Sequence, residues 1–144
     1  MNTEQKWAYL AKLDDELGGG VMLSEWTCIL VKDVDIAFCN HASLSAILAA
    51  QSAIECHLRF EFSGCLSGNR GGFYDLIEQS PLEPSMKADM HRLRRFRNRW
   101  VHVNDPADDE GVLARSESLE AETEEFAVFC MRLLRQTLYL FQCV

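Results

Sequence analysis

The sequence predicts an all-α protein, a single domain over residues 1–144 folded as an up-and-down bundle of four or five helices. Two observations carry this. Apolar residues recur at the three-and-four spacing of a helix face, and no run alternates in the manner of a half-buried strand. Glycine and proline clusters cut the chain into pieces of helical length. With 144 residues and 48% apolar content, there is enough material to fill one core.

Residues 2–17 read as a first helix. Asn2 or Thr3 caps it, Trp7, Leu10 and Leu17 share a stripe, and Gly18-Gly19-Gly20 stops it. The triple glycine is a joint, so residues 1–20 either complete the bundle or dock on a partner subunit. A second helix is expected from its cap, Ser24, to Phe38, with Trp26, Ile29, Leu30 and Phe38 as its apolar residues. Asp33 and Asp35 lie two residues apart and therefore on different faces, which argues against a paired-carboxylate site. Asn40 and His41 punctuate the chain before a third helix, Ala42 to Phe62, striped by Leu44, Leu48, Leu58 and Phe62. A lone acid, Glu55, sits in that apolar pattern with Gln51 beside it.

Residues 63–72 hold four glycines. No strand precedes them, and their spacing fits neither the Walker pattern nor the dinucleotide fingerprint, so a mobile loop is expected. Phe73 to Glu78 makes a short helix with Phe73, Leu76 and Ile77 inward. Pro84 suits the first turn of a long helix over 84–103. Beyond Pro106 the chain turns acidic, from Asp108, Asp109 and Glu110 to Glu117, Glu120, Glu122, Glu124 and Glu125. Part of this run is the solvated start of a last helix over 116–143, where acids favour the dipole. Phe129, Leu133, Leu134, Leu138 and Phe141 make that helix apolar nearly all round, so it is central or lies in a subunit interface.

The 84–103 helix carries the chemistry. Residues 90–102 contain five arginines, Asn98 and a closing His102, in a chain whose formal net charge is −8. On a wheel of about 100° per residue, Phe96, Trp100, Leu93 and Met86 share an apolar arc, with Met90 and Val101 at its edge. Asn98, His102, His91, Arg94 and Arg95 fall opposite. Asn98 and His102 stand one turn apart, near enough to touch one bound group. Arg97 falls inside the apolar arc and needs a partner. Glu55 has the mirror-image need, so the two are expected to meet inside the bundle, as a structural ion pair or as a device that aims Arg97 at a phosphate.

At Arg97-Asn98-Arg99-Trp100-Val101-His102 the chain resembles the HEPN superfamily, small all-helical domains marked by an arginine, a polar residue and, a few positions later, a histidine. The order of helices around the motif, with Asn104-Asp105-Pro106 ending the motif helix, fits the same family. Histidine is the side-chain type that titrates near neutral pH, and guanidiniums stabilise negative charge. That equipment suits attack on a phosphodiester by the neighbouring ribose 2′-hydroxyl, without a metal or other cofactor. The resemblance implies a metal-independent endoribonuclease, of a kind that includes toxins and phage-defence factors, with two subunits joining their motifs in one cleft.

By that analogy Arg97, Asn98 and His102 are the catalytic residues. Arg97 holds the phosphate, with Arg94, one turn back on the histidine's side, as the alternative; His102 moves the proton and Asn98 orients them. Arg94 and Arg95 contact the RNA backbone, Glu55 supports Arg97, and Arg92 and Arg99 are solvated or interfacial. The alternatives are a non-catalytic module that binds a nucleotide or a protein, and a regulatory subunit facing an acidic partner. A homodimer is expected in each case, with RNA as substrate in the first and an antitoxin or regulatory protein as possible partner.

Composition sets outer limits. An acidic chain is no general nucleic-acid coat, so any polyanion site must be local. No apolar run approaches the roughly 20 residues that span a bilayer, and the N-terminal residues lack a signal-peptide core, which points to the cytoplasm and away from membranes. Six cysteines without a C-x-x-C pair read as buried free thiols. Neighbouring positions such as Cys39 with His41, or Cys56 with His57, point apart on a helix and make poor zinc sites.

Overall fold

The structure, a computed structural model, describes residues 1–18, 20–64 and 71–140. Among these residues the chain is all-helical, with seven helices and no strand. They are α1 (Thr3–Leu17), α2 (Glu25–Cys39), α3 (Ser43–Glu61), α4 (Phe73–Gln79), α5 (Pro84–Val101), α6 (Asp109–Ala114) and α7 (Ser116–Leu138). The expected count of four or five is therefore too low. Part of the excess is α6, a six-residue helix within the acidic run, capped by the Asp108 side chain on the Gly111 N–H at 3.1 Å.

Local signals set several ends. Asn2 caps α1 in a reciprocal box with Gln5, which satisfies two otherwise orphaned N–H groups, and Gly18 closes the helix in the left-handed region at φ 81°. Ser24 caps α2 through the Thr27 N–H. Pro84 takes the first position of α5, where its missing N–H costs nothing.

The buried faces of α1 and α2 differ from expectation. In α1, Lys6, Leu10 and Leu13 are buried while Trp7 is exposed. In α2 the inner side is Thr27, Val34, Phe38 and Cys39, whereas Trp26 and Ile29 face outward at 76% and 55% exposure. Each helix buries one polar residue, Lys6 or Thr27, among its apolar ones and leaves a tryptophan outside. The inner side of α3 is also built differently from the leucine stripe: Ala46, Ala50 and Ala53 alternate with Ile47, Ile54 and Leu58. Such small residues let neighbouring helices approach closely. As a result α3 packs against α2, α4, α5 and α7 and is the central helix.

α7 lies against α1, α3 and α5 and buries Phe126, Ala127, Cys130, Met131, Leu133, Leu134 and Leu138. It ends at Leu138, short of 143, and Phe141 lies outside the described residues. Most of the glycine loop, residues 65–70, also lies outside them. The short helix α4 buries Phe73, Leu76 and Ile77 as expected. Cys39 and Cys130 are buried, Cys56 is half-buried and Cys28 is exposed, all as free thiols, while Cys65 and Cys143 lie outside the described residues. No described helix is long and apolar enough to cross a membrane.

Candidate active site at the end of the arginine helix

Three helices surround α5, and its arginines divide among them according to their angle on the wheel. Met90, Leu93 and Phe96 form the buried edge. Arg97, one step round from Phe96, is half-buried, and its guanidinium donates to the Asn98 side-chain oxygen at 3.3 Å. The helix stops at Val101, earlier than the expected 103. His102 is the capping residue, with φ −117° and ψ 72°, and its backbone N–H still donates to the Asn98 carbonyl at 2.9 Å. Its ring is exposed to solvent. Arg97, Asn98 and His102 thus occupy one turn and its cap, with the asparagine joined to both neighbours.

Glu55 stands on α3, half-buried. Burial raises its carboxyl above the ordinary value, opposed by the charges of Arg59 and Arg97 and by a hydrogen bond with Gln51. It feels Arg97 through space, yet among the described residues no direct Glu55–Arg97 ion pair closes. The larger opposing charge is that of Arg59, the same helix's own arginine. A side chain one turn along α3 is pre-positioned in a way that a partner on another helix is not.

Arg94 and Arg95 part company. Arg94 turns toward α4, its guanidinium 5.2 Å from the Tyr74 ring centre and its Nε buried without a hydrogen-bond partner among the described residues. His91 faces the same ring at 5.0 Å and bonds through Nε2 to the Glu78 carboxylate at 2.8 Å, which lowers the Glu78 carboxyl below its usual range. His91 is therefore committed to α4. Arg95 instead faces α7, in a cleft it lines with Arg92, Phe96, Arg99, Glu122, Glu125 and Phe126. Arg92 and Arg99, expected to be solvated or interfacial, belong to this cleft. Their spacing with Arg95, three and four residues, was the available signal.

A second polar constellation lies at the other side of the bundle. Arg135, 3% exposed, holds Asp35 with both terminal nitrogens at 2.9 Å and Asp14 through Nε at 3.1 Å. Tyr139 donates to the same Asp14 at 2.7 Å. Burial raises the Asp35 carboxyl, and Arg135 works against that rise. For Arg135, burial favours loss of the proton, but the bond and charge of Asp35 outweigh it and raise the guanidinium further. Asp14 and Asp35 converge on this one guanidinium, with Tyr139 bonded to Asp14, and tie the helices together. Among the described residues, no group of three or more His, Cys, Asp or Glu side chains is placed to hold a metal ion.

Compared with known proteins, the chain matches no family model, no curated protein and no solved structure.

Proposed function

We propose that the chain is a metal-independent endoribonuclease of HEPN type that works as a homodimer. The observation that carries this reading is the single turn in which Asn98 bonds the half-buried Arg97 guanidinium at 3.3 Å while His102 stands exposed at the helix end. Cleavage by a ribose 2′-hydroxyl needs an imidazole to move the proton and a cation to stabilise the phosphoryl charge, and this turn and its cap carry both side-chain types. His102 removes the 2′ proton as that oxygen attacks phosphorus. Arg97 stabilises the charge that gathers on the phosphoryl oxygens. The bond to the 5′ oxygen breaks, and a proton returned by an imidazole leaves a 5′-hydroxyl and a cyclic phosphate.

One His102 serves one proton transfer at a time, and the partner subunit's His102 supplies the second in a shared cleft. Arg94, on the α4 side of α5, and Arg95, on its α7 side, receive backbone phosphates. Such an enzyme would act in the cytoplasm as a toxin or defence factor, held in check by a protein partner.

The test is cleavage of a mixed RNA pool by the purified protein in EDTA, beside His102→Ala and Asn98→Ala variants matched for helicity and oligomeric state. The wild type is expected to cut, His102→Ala to lose at least about a hundredfold in rate, and Asn98→Ala to lose less. Equal cutting by wild type and His102→Ala would overturn the assignment. No cutting by the wild-type dimer would shift the reading to a non-catalytic module.

A further inference from the structure

Between α5 and α7 lies a cleft of about 360 Å³ whose floor is two phenylalanines and whose walls are charged. The Phe96 and Phe126 rings stack at 3.8 Å with 5° between their planes. Arg92 lies over Phe129 at 4.4 Å and over Phe126 at 5.2 Å. Arg99 lies over Phe96 at 4.6 Å, and Glu122 holds it at 2.9 Å. These cation–π contacts fix two planar guanidiniums before any ligand arrives. Arg95 stands between them on the helix, exposed, with no ion-pair or hydrogen-bond partner among the described residues. Three guanidiniums face two carboxylates, Glu122 and Glu125, in a chain that is otherwise strongly acidic.

The floor decides what kind of anion fits. Phe96 and Phe126 are 9% and 6% exposed, covered by each other and by the two arginines. No ring face is free for a base to stack on, so the groups left to hold a ligand's polar atoms are the guanidiniums. A phosphate group suits them, since a guanidinium fork pairs two of its oxygens at once. Arg95 and His102 are seven residues apart. That is two turns and roughly 10 Å along one side of α5, so a strand running past His102 reaches the cleft.

We infer that this cleft is a sequence-independent subsite for a backbone phosphate of single-stranded RNA, about two helical turns from His102. Arg95 is its first ligand and Arg92 a fixed lateral donor. Glu122 is an internal competitor, which occupies Arg99 until a phosphate displaces it. The inference rests on RNA as the ligand, and not on whether RNA is cut.

The test is binding of a fluorescent 2′-O-methyl oligouridylate, which has no free 2′-hydroxyl to attack, to the full chain at several salt concentrations. Arg95→Ala is expected to weaken binding about tenfold and to flatten the plot of log affinity against log salt by about 0.7, one phosphate contact on a single strand. Glu122→Gln frees Arg99 and is expected to tighten binding about threefold and steepen the plot by about the same 0.7. Arg132→Ala removes an exposed arginine that pairs with Glu16 on the α1 side of α7. It should change affinity less than about twofold, as should replacing the oligouridylate by an oligoadenylate.

No binding by the wild type, equal losses in Arg95→Ala and Arg132→Ala, an inert Glu122→Gln or a strong base preference would each overturn the subsite. Cleavage is a separate readout. Uncut RNA with the stated binding pattern removes the ribonuclease reading and keeps the subsite. RNA cut normally while Arg95→Ala and Glu122→Gln bind like wild type removes the subsite alone.

Discussion

Arg135 on α7 closes on Asp35 of α2 with two parallel bonds of 2.9 Å, across 100 residues of sequence. Asp14 of α1 shares the same guanidinium, so one buried cation ties three helices together. Its worth lies in not being left alone. Asp35→Ala would strand a nearly inaccessible guanidinium on one remaining, more exposed carboxylate and is expected to cost about 3 kcal/mol. Replacing both partners, as Asp35→Leu with Arg135→Met, removes the charge together with its desolvation and should cost clearly less. Urea unfolding of the two variants checks the order. A double variant less stable than Asp35→Ala would contradict it.

His57 gives the fold a pH dependence. It is 2% exposed on α3, and among the described residues neither ring nitrogen has a hydrogen-bond partner. Burial therefore pushes its pKa below the ordinary 6.5, and the charge of Glu61 only partly opposes this. The folded chain keeps the ring neutral while the unfolded chain takes up a proton as pH falls through 6.5. Protons then favour the unfolded state, and stability declines on the acid side until the folded-state pKa is passed. His57→Leu should remove this contribution. The difference in unfolding free energy between wild type and variant, followed from pH 7.5 to 5.5, is expected to move in favour of the variant as pH drops; a constant difference would mean that His57 is not held neutral.

The Phe96–Phe126 stack joins α5 to α7 at the base of the arginine cleft. Aromatic pairs contribute roughly 0.5–1.5 kcal/mol beyond their buried area. Single changes to leucine keep most of the apolar contact. A double-mutant cycle of Phe96→Leu and Phe126→Leu is therefore expected to show coupling of about 1 kcal/mol, because either change alone already breaks the stack. Additive losses would show that the rings act only as apolar volume.

The helical class, most helix starts and the α4 core residues could be read from the sequence because each depends on neighbours within a turn or two. Asn2, Ser24 and Pro84 act on their own helix ends. Which face of α1 or α2 turns inward is a tertiary outcome. Lys6 illustrates why: a lysine is expected outside, yet it is fully buried because Glu124 of α7 and His41 reach it at 3.4 and 3.2 Å and the Phe38 ring lies 4.9 Å away. No local pattern encodes partners so distant in the chain. The motif turn was legible for the opposite reason, since Arg97, Asn98 and His102 are held by consecutive backbone. The partition of the other arginines depended on where α4 and α7 pack, which places Arg94 on Tyr74 and Arg95 in the cleft.

Glu55 is where the proposed chemistry meets the packing of α3 against α5. Its carboxyl is raised by burial, and Arg97 offsets that rise only through space. Glu55→Gln preserves shape and removes the charge, so the desolvation that opposed ionisation disappears with it. The variant is expected to fold with stability within about 1 kcal/mol of wild type. The carboxylate's remaining influence is its field on Arg97, whose guanidinium makes a long bond of 3.3 Å to Asn98. If Glu55 positions the guanidinium for the transition state, Glu55→Gln lowers kcat about tenfold and leaves KM nearly unchanged, because ground-state binding of the strand rests on other arginines. A purely structural Glu55 predicts unchanged kcat at equal helicity. An increased KM with normal kcat would instead make it part of substrate binding.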